Sequence, residues 1–463
     1  MGAQKYSPKA SPKKKSTTLQ NLFDLESNPN TTPTLIIAMA HDSETDDLLS
    51  IISYCTFIFT FTDPSESPYQ QDLKRLKLTQ LLTALKSSKP SFTDDRILSP
   101  LFSMLSTNLF RPLPPPSNPI PTIEFPLLDD DTDPTLLSPS PSWPHLHIIY
   151  DILLKLVLNY DPKMLRAHID HSFLINLLSL FETEDRRERE SLKNVYHRIY
   201  SKFTFHRSFM RKAMKDVFLS YVFEMDRHSG IGELLEIWGS IINGFSVPLK
   251  EEHKVFLVRV LLPMHKPKGM QVYHRQLAYC VSQFVQKEPM LGAVVVGGIL
   301  RLWPVTNCQK EVLLIGEVEE LVEYTDQGLF GKLAFPLCAQ IAKCLNSWNS
   351  QVAERALYVW NNEHFVRMAS EAIEKVLPIV VEAIEKNIKS HWSKTVRQLT
   401  ISVKTMLEEM EPRMYAKCVQ ELDQREAMAN EEEMKRKEKW RILEMAAANN
   451  QLQEHTQCIY VSN

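Results

Sequence analysis

Two runs decide how this chain is read: Asn194-Val195-Tyr196-His197-Arg198-Ile199-Tyr200-Ser201-Lys202-Phe203, with Arg207 just beyond, and Ile237-Trp238-Gly239-Ser240-Ile241-Ile242-Asn243-Gly244-Phe245, followed by Pro248-Leu249-Lys250-Glu251-Glu252-His253. At helical spacing His197, Tyr200, Ser201 and Thr204 fall on one stripe, and Ile237 and Ile241 stack one turn apart. If the two runs are neighbouring antiparallel helices, one groove holds apolar anchors and a basic rim. Such a groove suits a short peptide with spaced aliphatic residues and a carboxylate or phosphate. The competing reading is structural: cations on a helix are usually a solvated face, and isoleucines at i and i+4 are usually core.

Working outward, the helical pattern repeats. After Trp143-Pro144, amphipathic helices are predicted in pairs at about 144–158 with 163–182, 187–204 with 207–226, 230–243 with 249–265, and 272–287 with 289–303. The series continues at about 309–324 with 327–346, 348–361 with 363–388, and 391–410 with 412–446. Boundaries fall at Pro162, Asp185, Gly230, Pro248, Pro267, Pro289, Pro304 and Pro412. Each pair opens about 40 residues after the last, the repeat length of HEAT or armadillo units. One pair cannot cover its own apolar faces, so the predicted fold is all-α, a HEAT/armadillo-like helical-repeat solenoid.

The flanks divide by composition. Residues 1–33 read as a disordered basic tail, with Lys5, Lys9, Lys13, Lys14 and Lys15 preceding any acid. Residues 34–111 read as divergent N-terminal helical repeats, with helix preferred to strand over Thr56-Phe57-Ile58-Phe59-Thr60-Phe61. Pro112-Leu113-Pro114-Pro115-Pro116 opens a Pro-rich connector over 112–142, which carries Asp129, Asp130, Asp131 and Asp133. Residues 143–446 hold the main repeats and end in a long polar helix. Residues 447–463 read as a flexible tail.

Composition excludes several functions. Hydrophobic residues make up 44% of 463, so the chain is not broadly disordered, and only 12 glycines argue against a strand-and-turn fold. A net charge of −3 provides no global field for nucleic acid or an anionic membrane. The 7 cysteines are scattered without Cys-x-x-Cys spacing and read as reduced core residues. His168 and His171 lack a second ligand pair, so no metal and no cofactor are expected. No apolar run reaches a membrane span. No phosphate loop or nucleophile elbow is present, so the chain is not expected to be an enzyme.

His197-Arg198-Ile199-Tyr200, Gly239-Ser240-Ile241-Ile242-Asn243-Gly244-Phe245 and Pro248-Leu249-Lys250-Glu251-Glu252-His253-Lys254 resemble the B-prime regulatory subunits of protein phosphatase 2A. The likeness extends through Phe110-Arg111-Pro112-Leu113-Pro114, Glu184-Asp185-Arg186-Arg187-Glu188-Arg189-Glu190, Leu261-Leu262-Pro263-Met264-His265-Lys266 and Gln351-Val352-Ala353-Glu354-Arg355-Ala356-Leu357-Tyr358-Val359-Trp360. The blocks are in order over most of residues 95–445. The resemblance implies a noncatalytic subunit that binds the scaffold and catalytic subunits and recruits substrates or adaptors bearing Leu-x-x-Ile-x-Glu motifs.

The positions matching that family's groove are His197, Arg198, Tyr200, Arg207, Ile237, Ile241, Lys250 and His253. Tyr200, Ile237 and Ile241 are expected to line pockets for the aliphatic residues. Arg198, Arg207, Lys250 and the histidines are expected to favour the glutamate or an added phosphate. Asn194 stands where the family pattern has Thr, and Arg275 where Pro is common. A cytoplasmic location is expected. Lys435, Arg436, Lys437 and Lys439 read either as a solvated helix face or as a nuclear-targeting cluster. The alternative function is a helical-repeat peptide adaptor that does not assemble with the phosphatase.

Overall fold

The computed structural model describes residues 45–61, 63, 67–87, 94–113, 141–224 and 227–460, with side chains in the last helix through residue 448. The basic tail at 1–33, most of the 112–142 connector and residues 461–463 lie outside the described residues. Every regular element among the described residues is a helix, as the all-α reading requires. The chain divides into two compact units, Met1–Ala213 and Met214–Asn463.

The first unit contains α1 (45–55), α2 (Pro68–Lys86), α3 (Asp95–Leu109), α4 (Trp143–Asn159), α5 (His171–Ser179) and α6 (Arg186–Lys202), and α7 (Arg207–Phe223) crosses the unit boundary. Short acceptor side chains start three of these helices. Asp94 accepts from the Arg96 N–H, Asp170 from Phe173 and Asp185 from Arg187, each satisfying a backbone donor that the first turn leaves open. Helix α4 packs against both α2 and α6.

The second unit holds α8 (Ile231–Asn243), α9 (Glu251–Phe256), α10 (His274–Lys287), α11 (Gly292–Arg301), α12 (Cys308–Tyr324), α13 (Phe330–Leu345), α14 (Ser350–Tyr358), α15 (Glu363–Ser370), α16 (Ile373–Ser390), α17 (Lys394–Met410) and α18 (Pro412–Tyr460). Its helices stack in two layers. In one layer α8, α10, α12, α14 and α17 pack in succession; in the other, α11, α13, α16 and α18 do so. Stacking buries what a lone pair would expose, which is the physical basis of a helical-repeat solenoid.

Neighbouring repeats are also joined at their ends. Lys310 Nζ donates to the carbonyls of Lys266 and Pro267, Asn387 Nδ2 to Leu345 and Trp392 Nε1 to Trp348, each link spanning 42 to 44 residues. The last carbonyls of a helix have no partner in their own ladder, and the next repeat supplies one.

Several boundaries differ from the sequence reading. The helix expected over 163–182 is a 3-10 turn at Met164–Ala167, the Asp170-capped α5, and a second 3-10 turn at Leu180–Glu182. The helix expected over 249–265 passes from α9 into a π turn at Leu257–Leu261 and a 3-10 turn at Leu262–His265, where Pro263 has no N–H to give. The one expected over 363–388 breaks at Ala372, with φ −138° and ψ 35°.

Thr56–Phe61 is not helical. Asn108 Nδ2 and Lys74 Nζ take the Cys55 and Phe57 carbonyls at 3.1 Å and 2.6 Å, and Phe59 turns into the core. Helix α18 runs on to Tyr460, past the expected end at 446, because no Gly or Pro interrupts it. The stretch Gln327–Leu345 passes a membrane-span test by length and composition, at mean hydropathy 1.2, yet half of it is buried within the fold.

Candidate functional site

The buried face of α6 consists of Glu188, Leu192, Val195, Tyr196 and Ile199. Helical geometry therefore places His197 and Tyr200 at the edge of that face, half-buried, and Arg198 in solvent. The stripe stops at Ser201, because α6 ends at Lys202 and Thr204 opens a 3-10 turn. Arg207 folds back over this end: its Nε donates to the Tyr200 carbonyl at 3.0 Å, its Nη2 to the Ser201 carbonyl at 2.7 Å, and its guanidinium sits 5.5 Å from the Tyr200 ring centre. A cation is favoured there by the partial negative charge of a helix C-terminus.

Arg211 Nη1 donates to the Tyr200 hydroxyl at 3.0 Å, which fixes the ring between two guanidinium groups. No acidic partner among the described residues meets Arg198, Arg207 or Arg211, whereas Lys193 pairs with Glu190 at 2.8 Å. Burial, reinforced by Arg198 and Lys193, holds the His197 pKa below its ordinary value. At neutral pH His197 is thus a neutral hydrogen-bonding ring beside the unneutralised Arg198 guanidinium.

The other predicted residues lie in the second unit. Ile237 is 1% exposed and Ile241 6%, on a face of α8 whose Trp238 stacks on Phe256 at 4.0 Å. Gly239 allows Tyr279 to lie directly on the α8 backbone, since a Cβ there would meet Tyr279 Cε1 at 2.9 Å. Tyr279 nevertheless remains 48% exposed. Lys250 is the exposed residue preceding α9, and His253 lies flat on Phe245 with ring centres 3.7 Å apart and planes within 1°.

The structure thus gathers His197, Arg198, Tyr200 and Arg207 around one helix end in the first unit, and places Ile237 and Ile241 together on α8 in the second. Lys250 and His253 flank the start of α9. Sequence reasoning passed over Arg211 and Tyr279. Arg211 stands one turn after Arg207, a spacing that signals a shared face. Arg275 lies exposed in the first turn of α10, where the backbone N–H has no helical partner and arginine and proline both fit.

Against this geometry, residues 32–447 match the family model described as Protein phosphatase 2A regulatory B subunit (B56 family). The chain belongs to the B56 family. Among its relatives, the B' alpha isoform of the 57 kDa regulatory subunit of serine/threonine protein phosphatase 2A from Arabidopsis thaliana is 45% identical over 405 residues, covering 87% of this chain and 81% of the relative. The B' beta isoform from the same plant is 46% identical over 396 residues, covering 85% and 78%. The B' kappa isoform from Oryza sativa subsp. japonica is 41% identical over 418 residues, covering 90% and 81%. The B56 match takes in all eight predicted site residues and both units.

Proposed function

We propose that this B56-family chain is the regulatory subunit of a protein phosphatase 2A heterotrimer, binding its scaffold and catalytic subunits and recruiting clients that carry Leu-x-x-Ile-x-Glu motifs. The observation that carries the recruitment reading is the end of α6, where Arg207 and Arg211 flank Tyr200 and Arg198 stands exposed on the same helix, none of the three with an acidic partner among the described residues. A motif glutamate or an added phosphate supplies the missing anion through charge-assisted hydrogen bonds. Tyr200, Ile237 and Ile241 are the proposed aliphatic contacts; Lys250 and His253, with His197, are the proposed polar ones. The subunit works in the cytoplasm; Lys435, Arg436 and Lys437 pair with Glu431 and Glu433 as a solvated face of α18, with a nuclear-targeting cluster the alternative reading.

Calorimetry with a Leu-x-x-Ile-x-Glu peptide tests the reading. Binding by the wild type that is lost in Arg198→Ala supports it. No binding by the folded wild type removes the recruitment part, while assembly with the scaffold–catalytic dimer tests the regulatory part separately. Peptide binding without assembly would select the adaptor alternative.

A further inference from the structure

The last helix outruns the fold that carries it. Tyr415, Cys418 and Leu422 of α18 are buried, but from Asp423 through Ala448 none of its side chains is. Met434, Trp440, Leu443 and Met445 are among the apolar residues left in solvent there. That bare run is about 38 Å long at the usual helical rise. Helices in proteins owe most of their stability to packing along one face, and this stretch lacks the neighbour that would supply it.

Beside the buried stripe, Lys404 and Glu408 of α17 and Ala416, Val419, Asp423 and Ala427 of α18 line a groove of about 760 Å³. The α18 side of the groove continues outward as Asn430, Met434, Lys437, Arg441, Met445 and Ala448. At 3.6 residues per turn these positions and those in the groove share one arc of roughly 80°.

The face is complementary to itself. When a second copy is turned end over end, positions equidistant from Glu432 meet: Ala416 with Ala448, Val419 with Met445, and Asp423 with Arg441. Lys437 then lays its aliphatic stem over Ala427, and Asn430 lies beside Met434. Glu432 itself is on the far side of the helix, clear of the contact. The opposed charges are available. Asp423 lies near Lys389 without forming an ion pair, since Lys389 is bonded to Glu426. Among the described residues Arg441 pairs with Glu438, one turn back on the same exposed helix, at 2.9 Å.

We propose that this face is the interface of an antiparallel homodimer, in which the outer half of each α18 lies in the groove that the other copy's inner half forms with α17. The occupant is a second copy because the groove's complement, in spacing and in charge, is found on the same helix. A two-fold contact of this kind uses one patch twice and closes on itself. It runs about 48 Å, from Ala416 to Ala448. Such pairing needs neither the phosphatase core nor a client peptide.

Sedimentation equilibrium of the full chain over the micromolar range tests this, with Asp423→Arg, Arg441→Asp and the double variant beside the wild type. The wild type is expected to form a dimer. In either single variant like charges face each other at both symmetric contacts, so the dimer dissociation constant should rise tenfold or more. The double variant restores opposite charges and should recover the wild-type affinity. Circular dichroism melting should be the same in all four proteins, because both side chains are exposed. A wild type that stays monomeric overturns the homodimer and leaves the groove to a helix from another protein. Single variants that dimerise as tightly as the wild type, or a double variant as weak as the single ones, overturn the antiparallel pairing. Rescue separates the charge pair from misfolding, which a second substitution would not repair.

Discussion

Lys287 Nζ donates to the carbonyls of Asn243 and Phe245, 44 and 42 residues earlier, at 2.9 Å and 3.0 Å. In the first unit Lys202 does the same for Val157, Leu158 and Tyr160, at 2.7 to 2.9 Å. In each case an ammonium group at the end of one helix satisfies the carbonyls left open one repeat back. Because Phe245 carries the stacked His253 ring, the Lys287 link also fixes part of the proposed site. Lys202→Met and Lys287→Met keep the aliphatic stem and remove these bonds. Each is expected to destabilise its unit by about 1–2 kcal/mol, the range for charge-assisted bonds discounted for partial exposure. Thermal melting followed by circular dichroism checks this; unchanged melting would make the links incidental.

Arg111 forms two bonds with Glu188, at 2.9 Å and 2.8 Å, and Glu188 is 1% exposed. The same carboxylate accepts from the Tyr150 and Thr183 hydroxyls. Arg111→Ala leaves it buried with neutral donors only, which is expected to cost about 3 kcal/mol or more. Arg111→Ala/Glu188→Gln removes the stranded charge and should melt higher than Arg111→Ala. If the double variant melts lower still, the charge argument is wrong.

The pH dependence of the second unit should centre on Glu317, whose oxygens lie 3.0 Å from His265 Nε2 and 2.8 Å from His274 Nε2. Burial raises the Glu317 pKa, but the two histidines more than cancel that and bring it to about 2. Burial lowers the His265 pKa, and Glu317 with the Leu262 carbonyl more than restores it, so the net shift is upward. The glutamate's contribution is present above its unfolded value, near 4.5, and is lost as pH falls towards about 2. The histidine's is full below about 6.5 and is lost as pH rises through the higher folded value. Melting temperature should therefore decline on both sides of that window, and Glu317→Gln should flatten both limbs. An unaltered profile in Glu317→Gln would refute the assignment.

The repeat architecture was legible because the apolar period of each helix and the capping residues Asp94, Asp170, Asp185, Asn307, Asn349, Asn362 and Ser393 are local signals. The cap at Asp170 was also the available sign that 163–182 is not one helix. The break at Ala372 carries no Gly or Pro, so tertiary packing overrides propensity there. Thr56–Phe61 was unreadable for a related reason: the groups that take its carbonyls, Lys74 and Asn108, are 17 and 53 residues away from their acceptors. Arg211 escaped notice because only the fold shows that its guanidinium meets Tyr200.

Burial separates the site substitutions that test recruitment from those that test folding. Arg198 is exposed, so Arg198→Ala should weaken Leu-x-x-Ile-x-Glu binding tenfold or more, consistent with about 1.5–3 kcal/mol for a charged hydrogen bond, without lowering the melting temperature. Ile237, 1% exposed, is different: Ile237→Ala is expected to cost about 2–5 kcal/mol of stability and is a poor probe of the peptide. Calorimetry with parallel melting distinguishes them. An Arg198→Ala protein that melts lower than the wild type would move that residue from recognition to structure.

His197 provides the sharpest test, because its pKa is already held down by burial, Arg198 and Lys193. An anion bound beside it favours the protonated ring, so its pKa must rise on binding and binding must take up a proton. Peptide affinity should therefore increase as pH falls from 7 towards 5.5, until the motif's own glutamate begins to protonate near its usual value of about 4.3. His197→Gln keeps hydrogen-bonding capacity but cannot titrate; it should bind with an affinity nearly independent of pH over that range. Calorimetry in buffers of different ionisation enthalpy counts the protons directly. Proton uptake by the wild type that disappears in His197→Gln places the ring at the anion, whereas equal uptake in both proteins assigns the titration to another group.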